Sequence, residues 1–142
     1  MKKHLGISLL LLTFVNTCYA DFKMRILSAN SCKNIAGEWT GIGKAYHWMI
    51  GTCIYNGKSK ITPLDDNGKI QFDVVADKES GSILCTQHEV KQMFGSCKNG
   101  ILIINTNYGD LSGNVYETNA DAKGSLNVLP GIYADVEILI HR

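Results

Sequence analysis

The sequence predicts an all-β chain, closed as a single antiparallel up-and-down β-barrel of eight to ten strands, with a β-sandwich as the alternative. Three observations carry that expectation. Apolar and polar residues alternate at a period of two, Asn-Gly turn dipeptides cut the chain at short intervals, and the segments between them follow one another with short connections.

From the N-terminus, Lys2 and Lys3 form a positive start, followed by an apolar run from Leu5 to Val15 broken only by Gly6, Ser8 and Thr13. Such a run is too short to span a bilayer as a helix and reads as the core of a secretory signal peptide, bacterial in style. Cys18-Tyr19-Ala20 supplies the small residue that signal peptidase prefers, so residues 1–20 are expected to be cleaved and the mature chain to begin at Asp21. Residues 21–36 form a lead-in with a short helix between Phe22 and Ser31. Residues 37–142 form the barrel domain.

Within it, strands are expected at about 37–46, 47–55, 58–64, 69–77, 82–90, 92–98, 101–107, 111–118, 125–129 and 132–141. The clearest runs from Lys69 to Asp77, where Ile70, Phe72, Val74 and Ala76 share a face and only Val75 breaks the alternation. The last repeats the pattern, with Ala134, Val136, Ile138 and Ile140 facing in and Tyr133, Asp135, Glu137 and His141 facing out. Ile101 to Ile104 is continuously apolar and reads as a strand buried more fully. Asn56-Gly57, Asn67-Gly68 and Asn99-Gly100 each suit a two-residue hairpin, and softer turn signals lie at 79–81, 108–110, 119–124 and 130–131. Closing so long a meander removes its open edges.

Loss of Lys2 and Lys3 with the leader lowers the basic count from 14 to 12 against 13 acids, a formal charge of −1. A nearly neutral chain lacks the basic field that a nucleic-acid or anionic-membrane partner needs. The leader would also take away one of five cysteines, leaving Cys32, Cys53, Cys85 and Cys97. An even number in an exported chain implies disulfides. Four cysteines permit three pairings, among which proximity in sequence favours Cys32 with Cys53 and Cys85 with Cys97. A zinc site would call for a Cys-x-x-Cys pair, which is absent.

Gly37-x-Trp39-x-Gly41-x-Gly43 opens the first long strand. Its Gly-x-Trp resembles the start of lipocalins and avidins, the calycin-type barrels, in which the Trp packs across the closed end and the Gly lets the backbone pass beneath it. The extended glycine run also resembles nitrobindin-like and fatty-acid-binding-like barrels, whose interiors bind haem or another apolar ligand. The chain departs from the haem-binding pattern, having Ala45-Tyr46-His47 where Tyr-Pro commonly follows the glycines. Independently of any family, Gly37, Trp39, Gly41, Gly43 and Ala45 share one face, which suits the inside of a tightly curved barrel.

The function expected is that of an exported, non-enzymatic barrel, periplasmic or extracellular, that binds a small apolar or amphipathic ligand. Trp39, Tyr46, Trp48, Phe72 and Tyr116 are the candidate lining residues. The alternative is a secreted effector or enzyme inhibitor acting through protein contacts. No cofactor or metal is expected, because His47, His88 and His141 lack ligand-like spacing. Neither a Gly-x-Ser-x-Gly elbow nor a His-Glu helix motif is present, and no carboxylate pair, Glu89 with Glu117 or Asp73 with Asp77, is marked by the sequence for catalysis. The mature form is expected to have no membrane anchor.

Overall fold

In the computed structural model, which describes residues 32–142, eight strands follow one another: β1 (Gly37–His47), β2 (Gly51–Pro63), β3 (Lys69–Gly81), β4 (His88–Lys98), β5 (Ile101–Thr106), β6 (Gly109–Val115), β7 (Asn119–Leu129) and β8 (Ile132–His141). The expected leader and the expected helix between Phe22 and Ser31 lie outside the described residues. Each strand pairs antiparallel with its sequence neighbours, and β1 pairs with β8, from Thr40 opposite His141 to Tyr46 opposite Asp135. The sheet is therefore a closed up-and-down barrel, and the sandwich alternative does not form.

Several turn signals were overridden by this pairing. Asn56-Gly57 is not a hairpin but the middle of β2, with Gly57 opposite Gly41 on one side and Ala76 on the other. Its neighbours are so small that the dipeptide serves a curved strand instead of a turn. Residues 47–55 and 58–64 accordingly merge into one strand preceded by a turn at 48–50. Likewise 92–98 joins with the end of 82–90 as β4, residues 82–87 form a loop, and 119–124 opens β7. Asn99-Gly100 does form the expected hairpin, with φ of +51° and +79°. At Asn67-Gly68 the Asp65 carboxylate accepts the amides of Asn67 (2.8 Å) and Lys69 (3.0 Å), and Gly68 takes φ +88°. The run Ile101 to Ile104 is not buried on both sides: Leu102 and Ile104 face the core, whereas Ile101 and Ile103 face outward.

Inward-facing residues pack most densely at the end where the 2–3, 4–5 and 6–7 connections lie. Ile35, Trp39, Ile61, Ile70, Leu102, Leu111 and Val115 are fully buried there. The Trp39 indole N–H donates to the Ile35 carbonyl (2.8 Å), and the Arg142 guanidinium lies over the indole, 4.7 Å from the ring centroid. Arg142 also donates to the carbonyls of Glu117 (3.0 Å) and Ala36 (3.4 Å), so the lead-in, the β6–β7 connection and the last residue are tied into one plug.

Two disulfides brace opposite ends of the barrel. Cys32 pairs with Cys97 at the plug (Cα–Cα 5.4 Å) and Cys53 with Cys85 at the other end (6.3 Å). This corrects the pairing favoured by sequence proximity. Cys32 lies just before Gly37, which faces Ile61, while Cys53 sits farther along β2 opposite Ala45. About eight residues of extended chain separate those levels, roughly 26 Å, far beyond a disulfide's reach. The two crosslinks fit an oxidising, exported setting.

Candidate functional site

Above the plug the barrel is not filled. A cavity of about 120 Å³ lies inside it, with Tyr55, Ser59, Phe72, Met93, Ile138 and Ile140 among its walls. Its origin is legible in the strands. Gly41, Gly43 and Gly57 present no side chain at the level where β1 and β2 cross the interior, and Ala76 presents a methyl group. Gly41 is required for a second reason, since a Cβ there would collide with the Leu139 carbonyl and with Ile140 across the β1–β8 closure.

The end of the barrel opposite the plug is a mouth. By strand alternation from Met93, Gly95 and Cys97, Lys91 and Glu89 face inward, yet the Lys91 side chain is 56% exposed and ion-pairs with Glu89 at 3.4 Å. Inward positions in contact with water mean that this end is open. Tyr55, between the mouth and the cavity, has its phenol pKa raised above the ordinary 10.0, first by burial and then by the negative charge of Glu89. His47 is buried at the same end, where its Nδ1 accepts the Met49 amide (3.2 Å) and holds the β1–β2 turn. Ser59 differs from the other lining residues: its hydroxyl oxygen is buried and no protein group hydrogen-bonds to it.

The sequence-selected residues are dispersed by the fold. Phe72 is 2% exposed and lines the cavity. Trp39 is equally buried but lies in the plug, beneath the cavity. Tyr46 stands on the outer face, 47% exposed, and Trp48 projects from the β1–β2 turn, 75% exposed. Tyr116 is half-buried in an outer depression with Ile42, Leu139 and His141. Tyr55, which clusters in sequence with Tyr46, His47 and Trp48, does line the cavity, whereas Ser59, Met93 and Arg142 carry no sequence signal that marks them. Reading Asn56-Gly57 as a turn had broken the alternation of β2, which otherwise places Tyr55, Gly57, Ser59 and Ile61 on one inner face.

Outside the barrel, His88 meets Asp77 at 2.6 Å on the surface, and Asp73 accepts from Gln92 and Gln71, which together lower its carboxyl pKa. Among the described residues no three His, Cys, Asp or Glu side chains gather as a metal site would require, and no helix is long and apolar enough to cross a membrane. The mouth loops carry exposed apolar side chains. Trp48 and Met49 lie in the 48–50 turn, Ile83 (90% exposed) and Leu84 in the 82–87 loop, and the Cys53–Cys85 disulfide ties the 82–87 loop to β2 three residues beyond that turn.

No family model matches this sequence, and no curated protein is similar to it. Among solved structures, an S-type phycobiliprotein lyase from Guillardia theta is similar at 8% identity, over 83% of this chain and 93% of that chain, with a TM-score of 0.47. The continuous register of all eight strands, closed by β1 with β8, fits a calycin-type barrel.

Proposed function

We propose that this protein is an exported, non-enzymatic barrel that binds a small apolar or amphipathic ligand between the Trp39 plug and the mouth. The observation that carries this reading is the apolar cavity, which side chains leave empty because three glycines face it. A volume near 120 Å³ is of the order of the roughly 150 Å³ cavity that takes up benzene, and well below the roughly 300–1,000 Å³ of pockets for drug-sized molecules. The ligand is then one ring or a short chain. The leader-like N-terminus and the two disulfides support export. The Gly37-x-Trp39 resemblance to calycins belongs to the same reading, with Trp39 buried in the plug beneath the cavity.

Titration of ¹⁵N-labelled protein with toluene tests it. Amide shifts should cluster on Phe72, Val74, Met93 and Ile138, and a Val74→Phe variant should abolish them. Shifts confined to the outer surface, or none at all, would refute ligand binding in the barrel. The exposed Trp48, Met49, Ile83 and Leu84 favour a second reading, an effector or inhibitor that presses this rim against an apolar patch on a partner enzyme. Under that reading toluene leaves the interior amides unmoved, and Trp48→Ala weakens inhibition of the target.

A further inference from the structure

The ligand-binding reading leaves open what kind of small molecule the cavity selects, and Ser59 addresses that question. Ser59 Oγ is buried without a protein partner, in a cavity whose wall is otherwise almost wholly carbon. A buried hydroxyl with nothing to bond to has lost its water without a replacement and is a net cost to folding. A water beside it would find too few polar neighbours, since buried waters hold two to four hydrogen bonds. Ser59 sits on the inner face of β2 between Gly57 and Ile61, opposite Trp39 and Val74 in the neighbouring strands, so strand pairing fixes its position. An alanine would fill the same place without the penalty.

We infer that Ser59 is the polar contact of the site, and that the cavity takes a compound of one ring or a short alkyl chain bearing a single hydroxyl or carbonyl oxygen. This rests on the ligand-binding reading and narrows it. The serine hydroxyl both donates and accepts, so it can partner either oxygen type; Oγ is covered in the ligand-free barrel and must turn about χ1 toward the cavity to come within about 3 Å of that oxygen. Met93, Phe72, Ile138 and Ile140 cover the hydrocarbon part. A pure hydrocarbon leaves the hydroxyl no worse off than in the empty barrel and so is not rejected, whereas an all-carbon cavity would disfavour the oxygenated analogue by up to about a hundredfold.

Phenol and toluene are nearly the same shape and differ in the required oxygen, so they are the probes. Calorimetric titration of the wild-type protein should show phenol binding with an affinity within tenfold of toluene. In Ser59→Ala, phenol should weaken about tenfold while toluene is unchanged or tighter. Loss of the unpartnered hydroxyl should also raise the melting temperature of the ligand-free variant, whereas a serine with a merely structural role would lower it. If both ligands change alike in Ser59→Ala, or if the wild type prefers toluene by more than tenfold, Ser59 is not the selecting group, although the cavity remains a binding site. If neither probe binds the wild type, the inference and the ligand-binding reading fall together. Should Ser59→Ala not fold, the wild-type ratio alone decides.

Discussion

Replacing Trp39 by Phe tests the plug with a change small enough for the barrel to survive. The substitution removes the indole N–H that donates to Ile35 at 2.8 Å and leaves that carbonyl without its partner. An unsatisfied buried acceptor costs about 1–3 kcal/mol. Phenylalanine also fills less space at a position that is 1% exposed, which adds about 1 kcal/mol for the lost ring atoms. The Arg142 contact is weakened but survives, because guanidinium also packs on a phenyl face. The sum is about 3 kcal/mol, at the lower edge of the roughly 3–5 kcal/mol expected for full truncation to Ala. Urea unfolding followed by far-ultraviolet circular dichroism measures it without relying on tryptophan. Fluorescence adds an independent check. Native Trp39→Phe retains only Trp48, which is 75% exposed, so its emission should shift to the red and iodide should quench it readily. A loss below about 1 kcal/mol, or a variant whose remaining emission is that of a buried indole, would show that Trp39 does not close the barrel.

Three further outcomes are expected. Peptide mapping without reduction should recover Cys32 linked to Cys97 and Cys53 linked to Cys85; from sequence separations of 65 and 32, chain entropy assigns about 4.3 and 3.7 kcal/mol to them, so removing the first bridge should cost slightly more. Val136→Asp should abolish the cooperative thermal transition, because it sets an unpaired charge against the core, whereas Glu137→Ala on the outer face of the same strand should melt within a degree or two of wild type. Tyr55 should ionise above the ordinary tyrosine value, as the difference in tyrosinate absorbance between wild type and Tyr55→Phe will report. Its folded pKa is raised, so its contribution to stability is present below pH 10.0 and is lost as the pH climbs through the folded value; a Tyr55 titrating at or below 10.0 would contradict its position between the cavity and Glu89.

The fold was legible in the sequence wherever one face of a strand is wet. Lys69 to Asp77 and Tyr133 to His141 alternate cleanly, and their inner residues, Ile70, Phe72, Val74, Val136, Ile138 and Ile140, are those that pack on or against the core. The signal failed where local turn chemistry and long-range pairing disagreed. Asn56-Gly57 has the composition of a hairpin, but thirteen residues of β2 are held on both sides by β1 and β3, and that pairing outweighs a dipeptide preference. The site suffered from the same error. Aromatic residues were natural candidates for a lining, yet Tyr46 and Trp48 fall on the outside, and the cavity is defined chiefly by what the glycines omit. Absence of side chains at three positions on two strands becomes a space only once the register is known. Cysteine pairing was illegible for a related reason: proximity along the chain says little about which end of a barrel a residue occupies.

An even number of strands returns the chain to the end from which it set out. Cys32, bonded to Cys97, and Arg142, seated on Trp39, both lie at the plug, while Trp48 and Ile83 ring the opposite end. Whatever is joined to Arg142, whether a carrier, a bead or a longer polypeptide, is therefore attached behind the barrel, with the entrance pointing away. A C-terminal tag used to immobilise the protein on a sensor surface leaves the mouth free in solution, whereas an insertion in the 82–87 loop stands across it. Both the toluene titration and any search for a partner are best arranged with that orientation.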